Sequence, residues 1–145
     1  MDENEYRQTY QQVNTQPCVF ERAVLRRCGN CHHALRLNLA EREAVACQSD
    51  TARPMCQQFL DIMHQKSFFA VKTDQAAAPL PFGKEIKIQC GALLGLQAEL
   101  GLDTPIEIHD ALMQAVASNG TLAKLPFENI MRHVTAFKTR RRRNP

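Results

Sequence analysis

The chain has 145 residues, 44% of them hydrophobic and 23% charged, with no tryptophan and a formal net charge of +3. This is the make-up of one globular domain, long enough to bury a core but too short for two independent ones. No apolar run reaches the roughly 18 residues of a membrane helix, and the acidic, polar start "MDENEYRQTYQQ" has neither a basic nor an apolar leader region, so the expected compartment is the cytoplasm.

Residues 1–16 are polar and glutamine-rich without periodicity, and read as a flexible segment. A single helical domain is expected over 17–137. It comprises a cysteine-rich part (17–71), a linker (72–83) marked by Pro79, Pro81 and Gly83, and a helical part (84–137). Each part alone is marginal for a core, so the two are expected to pack together.

Pro17 suits the first turn of a short helix over 18–27, which stops at Gly29-Asn30. "ALRLNLAEREAVAC" is rich in helix formers and predicts a helix over 34–47. "SDTARP" reads as a break and restart, with Ser49 or Asp50 as N-cap of a helix over 52–70 that lines up Cys56, Phe59, Leu60 and Met63.

Beyond the linker, "KEIKIQCGALLGLQAELG" predicts a helix; its start, "EIKIQC", is the one strand candidate in the chain. Gly91 and Gly95 weaken helix propensity, a cost accepted where another backbone comes close within the same chain. Thr104-Pro105-Ile106-Glu107 reads as a capping box opening a helix that ends at Asn119-Gly120. Pro126 starts a last helix with Phe127, Ile130, Met131, Val134 and Phe137 at helical spacing. The fold class expected is all-α, a compact bundle of about five to six helices.

Six cysteines, five of them within residues 18–56, are the chemical signal. In a reducing compartment such a set points to metal or redox chemistry rather than to disulfides. The ligand candidates are Cys18, Cys28, Cys31, Cys47 and Cys56, with His32 and Cys90 as possible additions. Cys28, Cys31 and Cys47 are common to most assignments, and Cys18 and Cys56 are the doubtful members. Cys90 reads equally well as a small buried hydrophobe.

A [4Fe–4S] cluster is favoured, because it tolerates thiolates from separate helices and loops in apolar surroundings. Cys18, near a helix start, is expected to have a lowered pKa. Zinc is the alternative: Cys28 and Cys31 make one knuckle, but the eight-residue gap from Cys47 to Cys56 departs from the usual short second pair. Haem c is disfavoured although Cys28, Cys31 and His32 spell its attachment pattern, since attachment needs export and leaves three cysteines unused. The nine-residue gap from Cys18 to Cys28 resembles the twin Cys-x9-Cys proteins of the mitochondrial intermembrane space, which implies a disulfide-linked helical hairpin. The eight-residue second gap departs from that pattern by about 100° of helix rotation.

Arginines 22, 26, 27, 36, 42 and 53 surround the cysteines and offer charge compensation, although most of them also suit solvated helix faces. His64, His109 and His133 have no linking spacing and read as exposed or capping residues. No phosphate loop, nucleophile elbow or metalloprotease motif occurs, so a non-enzyme is expected.

The end of the chain holds five positive charges, Lys138, Arg140, Arg141, Arg142 and Arg143; without them 13 basic residues face 15 acidic ones and the body stands at −2. This tail (138–145) offers non-specific nucleic-acid or anion contact through those five side chains. The function expected is an iron–sulfur protein for electron transfer or redox sensing, with a redox or regulatory protein partner. The alternatives are a zinc-stabilised helical adaptor that binds protein or nucleic acid, and a metal-free thiol-redox protein.

Overall fold

The computed structural model describes residues 2–71, 82–103 and 105–138. It has helices α1 (Glu3–Val13) and α2 (Glu21–Leu25), then strands β1 (Gly29–Asn30), β2 (Ala34–Leu39) and β3 (Arg42–Cys47). After these come helices α3 (Arg53–Val71) and α4 (Phe82–Leu100), strand β4 (Ile106–Glu107), helix α5 (Ile108–Asn119), a 3-10 turn (Leu122–Lys124) and helix α6 (Phe127–Ala136). The expected all-α bundle is therefore corrected: two small sheets accompany the six helices, and the fold is mixed.

The largest correction falls on residues 34–47, which form an antiparallel hairpin instead of a helix. Leu39 pairs with Arg42, so Ala40 and Glu41 make a two-residue turn, with Ala40 at φ 59°. Leu39, Ala44 and Val45 are buried, so burial along the strands overrides the helix propensity of Ala, Leu, Glu and Arg.

Pro17 also differs from expectation. It sits beside β3, bridged to Ala46, rather than opening a helix. Its flanking residues make the bonds that it cannot: Cys18 N donates to Val45 O at 2.9 Å and Cys47 N to Gln16 O at 2.7 Å. The expected helix over 18–27 shrinks to α2, and the expected helix start at Pro105 moves to Ile108. There Ile106 and Glu107 pair in parallel with Gly29 and Asn30. Thr104 and its part in the capping box lie outside the described residues, as do 72–81 of the linker and 139–145 of the basic tail. "EIKIQC", the strand candidate, is helical within α4.

Helix α1 occupies much of the segment expected to be irregular. Asp2 caps it by accepting from Glu5 N at 2.8 Å. Glu21 then ties it down: its carboxylate accepts from Tyr10 Oη at 2.8 Å and from Val45 N at 2.8 Å, joining α1, α2 and β3. Asn14 is buried beside it and donates to Val45 O at 3.0 Å.

The second half packs around α4, which is buried on most sides, including Ile86, Ile88, Cys90, Leu93 and Leu96. Its two glycines meet the backbone of α6. A Cβ on Gly91 would collide with Val134 Cα, and one on Gly95 would lie 2.8 Å from Ile130 Cα. Lys87 closes the C-terminal end of α6 by donating to Thr135 O at 2.9 Å and Phe137 O at 3.0 Å. Helix α3 starts at Arg53, one residue after the expected start, and Ser49 in the turn before it accepts from Ala52 N at 3.0 Å through its hydroxyl.

Candidate metal centre

Four cysteines from four different places line one narrow apolar hollow: Cys18 before α2, Cys31 just after β1, Cys47 at the end of β3 and Cys56 in the first turn of α3. Phe20, His33, Ala34, Ala52 and Ile108 are among the other residues of its wall. All six cysteines are free thiols, and these four are half-buried.

The sulfurs act on one another electrostatically. Burial pushes the Cys18 thiol up to about 12, and neighbouring Cys31 and Cys47 add to it. Burial likewise pushes Cys56 up to about 12, with Cys31, Cys18 and Cys47 contributing and Arg53 opposing. Cys31 is raised for the same first reason, burial. The lowered pKa expected for Cys18 is therefore corrected: desolvation outweighs a helix start of five residues.

Backbone donors point at two of the sulfurs. The N–H of Phe20 donates to Cys18, and those of His33 and His109 donate to Cys31. Cys47 Sγ itself lies 3.4 Å from Ser49 O.

Cys28 leaves the set. Its thiol pairs with that of Cys90, fully buried on α4; this hydrogen bond lowers Cys28 and raises Cys90. The Cys-x2-Cys spacing thus divides between two sites. Between its cysteines runs the two-residue strand β1, and a three-residue step along a strand turns the second side chain to the opposite face.

His32 does not line the hollow. Its ring Nδ1 lies 3.0 Å from Glu107 Oε1, and its backbone N–H donates to the same oxygen at 2.7 Å. His33 and His109 pack beside it, with ring centroids 4.2 Å apart in a tilted pair (His32–His33) and 5.1 Å apart edge-on (His33–His109). Burial holds His109 below its ordinary value, and His33 adds to that. No sequence spacing marks this trio, because the β1–β4 pairing brings His109 in from far along the chain. His64 is also no solvent-facing bystander: its Nε2 lies 2.6 Å from Glu85 Oε1, joining α3 to α4.

Of the arginines, Arg53 lines the hollow and donates to Pro17 O at 2.8 Å. Arg36 pairs with Glu43 at 3.1 Å and Arg42 with Glu3 at 2.8 Å, both on the surface. Of the five tail residues expected to contact nucleic acid or anions, Lys138 is exposed, whereas Arg140, Arg141, Arg142 and Arg143 lie outside the described residues. A wider groove of about 1090 Å³ runs between α1, α2 and the start of α4, lined by Tyr6, Tyr10, Arg22, Arg42 and Phe82. No helix among the described residues is long and apolar enough to cross a membrane.

No family model, curated protein sequence or solved structure matches the chain.

Proposed function

We propose that Cys18, Cys31, Cys47 and Cys56 hold a [4Fe–4S] cluster and that the protein carries or senses single electrons for a protein partner in a reducing compartment. The observation that carries this reading is the convergence of these four thiols on one apolar hollow. As thiolates the four would repel one another in this apolar place, and a cationic group that replaces their protons would relieve that repulsion.

The spread of the sulfurs favours a cluster over a single ion. Tetrahedral zinc at about 2.3 Å per sulfur draws its ligands to about 3.8 Å from one another. Among the described residues, the sets whose ligand atoms all lie within 4.8 Å of one another are built on His32, and the cysteines form no such set. In a cluster each thiolate meets a different iron, which spaces the sulfurs further apart.

The protein's own groups would set the redox behaviour. The N–H donors of Phe20, His33 and His109 favour the electron-rich state by hydrogen-bonding thiolate sulfur. The apolar wall of Phe20, Ala34, Ala52 and Ile108 opposes added negative charge. Half-buried cysteines keep the centre near the surface, within reach of a docked partner.

Structural zinc is the second reading. The hollow's size supports it, since about 20 Å³ suits a single small ion. Anaerobic purification followed by iron, sulfide and zinc analysis separates the two. About four iron and four sulfide per chain, with broad visible absorbance, is the expected result. Colourless protein with one zinc supports the second reading, and metal-free protein with six titratable thiols overturns both.

A further inference from the structure

We propose that His32, His33 and His109 form a second metal site, on the surface, that takes one divalent transition ion of the imidazole-preferring class, zinc foremost. Its ligands are separate from those proposed in the cysteine hollow, and it does not require that hollow to be filled.

One nitrogen from each of the three rings lies within 4.8 Å of the others. Imidazole suits zinc, copper and nickel, whereas magnesium and calcium want oxygen ligands. Tetrahedral zinc with nitrogen ligands needs about 2.0–2.1 Å per bond, so small ring rotations close the set. His32 is half-exposed at 52% and can rotate without disturbing the core.

The surroundings resemble those of a built site rather than a chance meeting. Glu107 holds His32 twice, through the backbone N–H at 2.7 Å and ring Nδ1 at 3.0 Å. A carboxylate on Nδ1 fixes the tautomer and leaves Nε2 as the nitrogen that faces an ion. Asp110 Oδ2 lies 4.0 Å from the same Nδ1 and adds negative charge nearby. The two segments are locked in place by the parallel pairing of Gly29 with Ile106 and Asn30 with Glu107. This fixes the loop that carries His32 and His33 against the start of α5, which carries His109.

The site also touches the cysteine centre. His33 lines the hollow, and the backbone N–H groups of His33 and His109 donate to Cys31. An ion held by the two side chains would stiffen both donors. Occupancy of the histidine site is thereby coupled to Cys31 through backbone, with no shared ligand.

The test uses the full chain as purified, with Zn2+ as the probe. Calorimetry is expected to show one equivalent of Zn2+ taken up beyond the metal already present, undiminished by excess Mg2+. In imidazole nitrogen spectra the signals of His32, His33 and His109 should shift together while those of His64 and His133 stay still. His109→Ala should weaken this equivalent more than about tenfold, and Glu107→Gln about tenfold. His109→Gln serves as a gentler variant should the alanine form lose its native circular dichroism. Uptake of equal affinity in the His109 variants, no further equivalent in the wild type, or equal shifts at His64 and His133 would each overturn the proposal.

Discussion

The stretch from Asn14 to Cys56 and the helical half built on α4 solve the same problem by different means. The helical half is held by close apolar packing: α4 lies against α6 at glycine spacing, and Ile130, Val134, Leu93 and Leu96 are fully buried. The cysteine-bearing stretch has a five-residue helix, a two-residue strand and one hairpin, joined by polar ties through Glu21 and Asn14. Its interior faces a hollow of sulfur atoms. The two share one apolar core, to which Phe20, Ala23, Val24 and Val45 contribute, but on the reading proposed above the cysteine-bearing stretch is also organised around a group that the polypeptide does not supply. Metal loading should therefore matter to one and be nearly irrelevant to the other.

The largest effect should come from overfilling the packed half. Gly91→Ala places a methyl group against the backbone of Val134 and should cost about 3 kcal/mol of stability by chemical denaturation, equally with and without chelator. A loss that appears only in metal-loaded protein would dissolve the distinction between the halves.

The cysteine pair at residues 28 and 31 sharpens the comparison next. Cys31→Ser should abolish iron binding and speed hydrogen exchange at hairpin amides such as Val45, while Leu93 and Leu96 on α4 stay protected. Cys28→Ser should keep its iron, since that thiol belongs with Cys90. Equal iron loss in both variants would return Cys28 to the centre.

The smallest effect lies on the seam between α3 and α4. The hydrogen bond to Glu85 raises the pKa of His64 above its ordinary 6.5. A raised value means the protonated form is favoured by folding. The contribution is full below about pH 6.5 and fades as pH rises through the raised value. His64→Gln should therefore lose about 1 kcal/mol or less, and only in the acidic part of that range. A deficit that grows with pH would contradict the ion pair.

Legibility in the sequence follows the same division. Helices α3, α4 and α6 announce themselves through proline and serine starts and apolar residues at helical spacing. The hairpin does not, because its strands use good helix formers and its turn is Ala40-Glu41 rather than Asn-Gly. The alternation of Leu35, Leu37 and Leu39 with Arg36 and Asn38 carries the missing signal. Four of the five cysteines proposed as ligands do meet at one hollow, including the doubtful Cys18 and Cys56. Cys28 parts from its sequence neighbour because spacing shows proximity along the chain and not the face of a strand. The histidine trio depends on a pairing of β1 with β4 that no local pattern encodes.

That two-residue ladder also brings together parts of the chain that are synthesised far apart in time. All the thiols of the hollow have been synthesised once Cys56 is joined, but a donor to Cys31 comes from His109, much further down the chain. A nascent chain folding from its N-terminus holds an incomplete pocket until α5 has emerged. If the hollow takes the proposed centre, its maturation waits for the arrival of the downstream half.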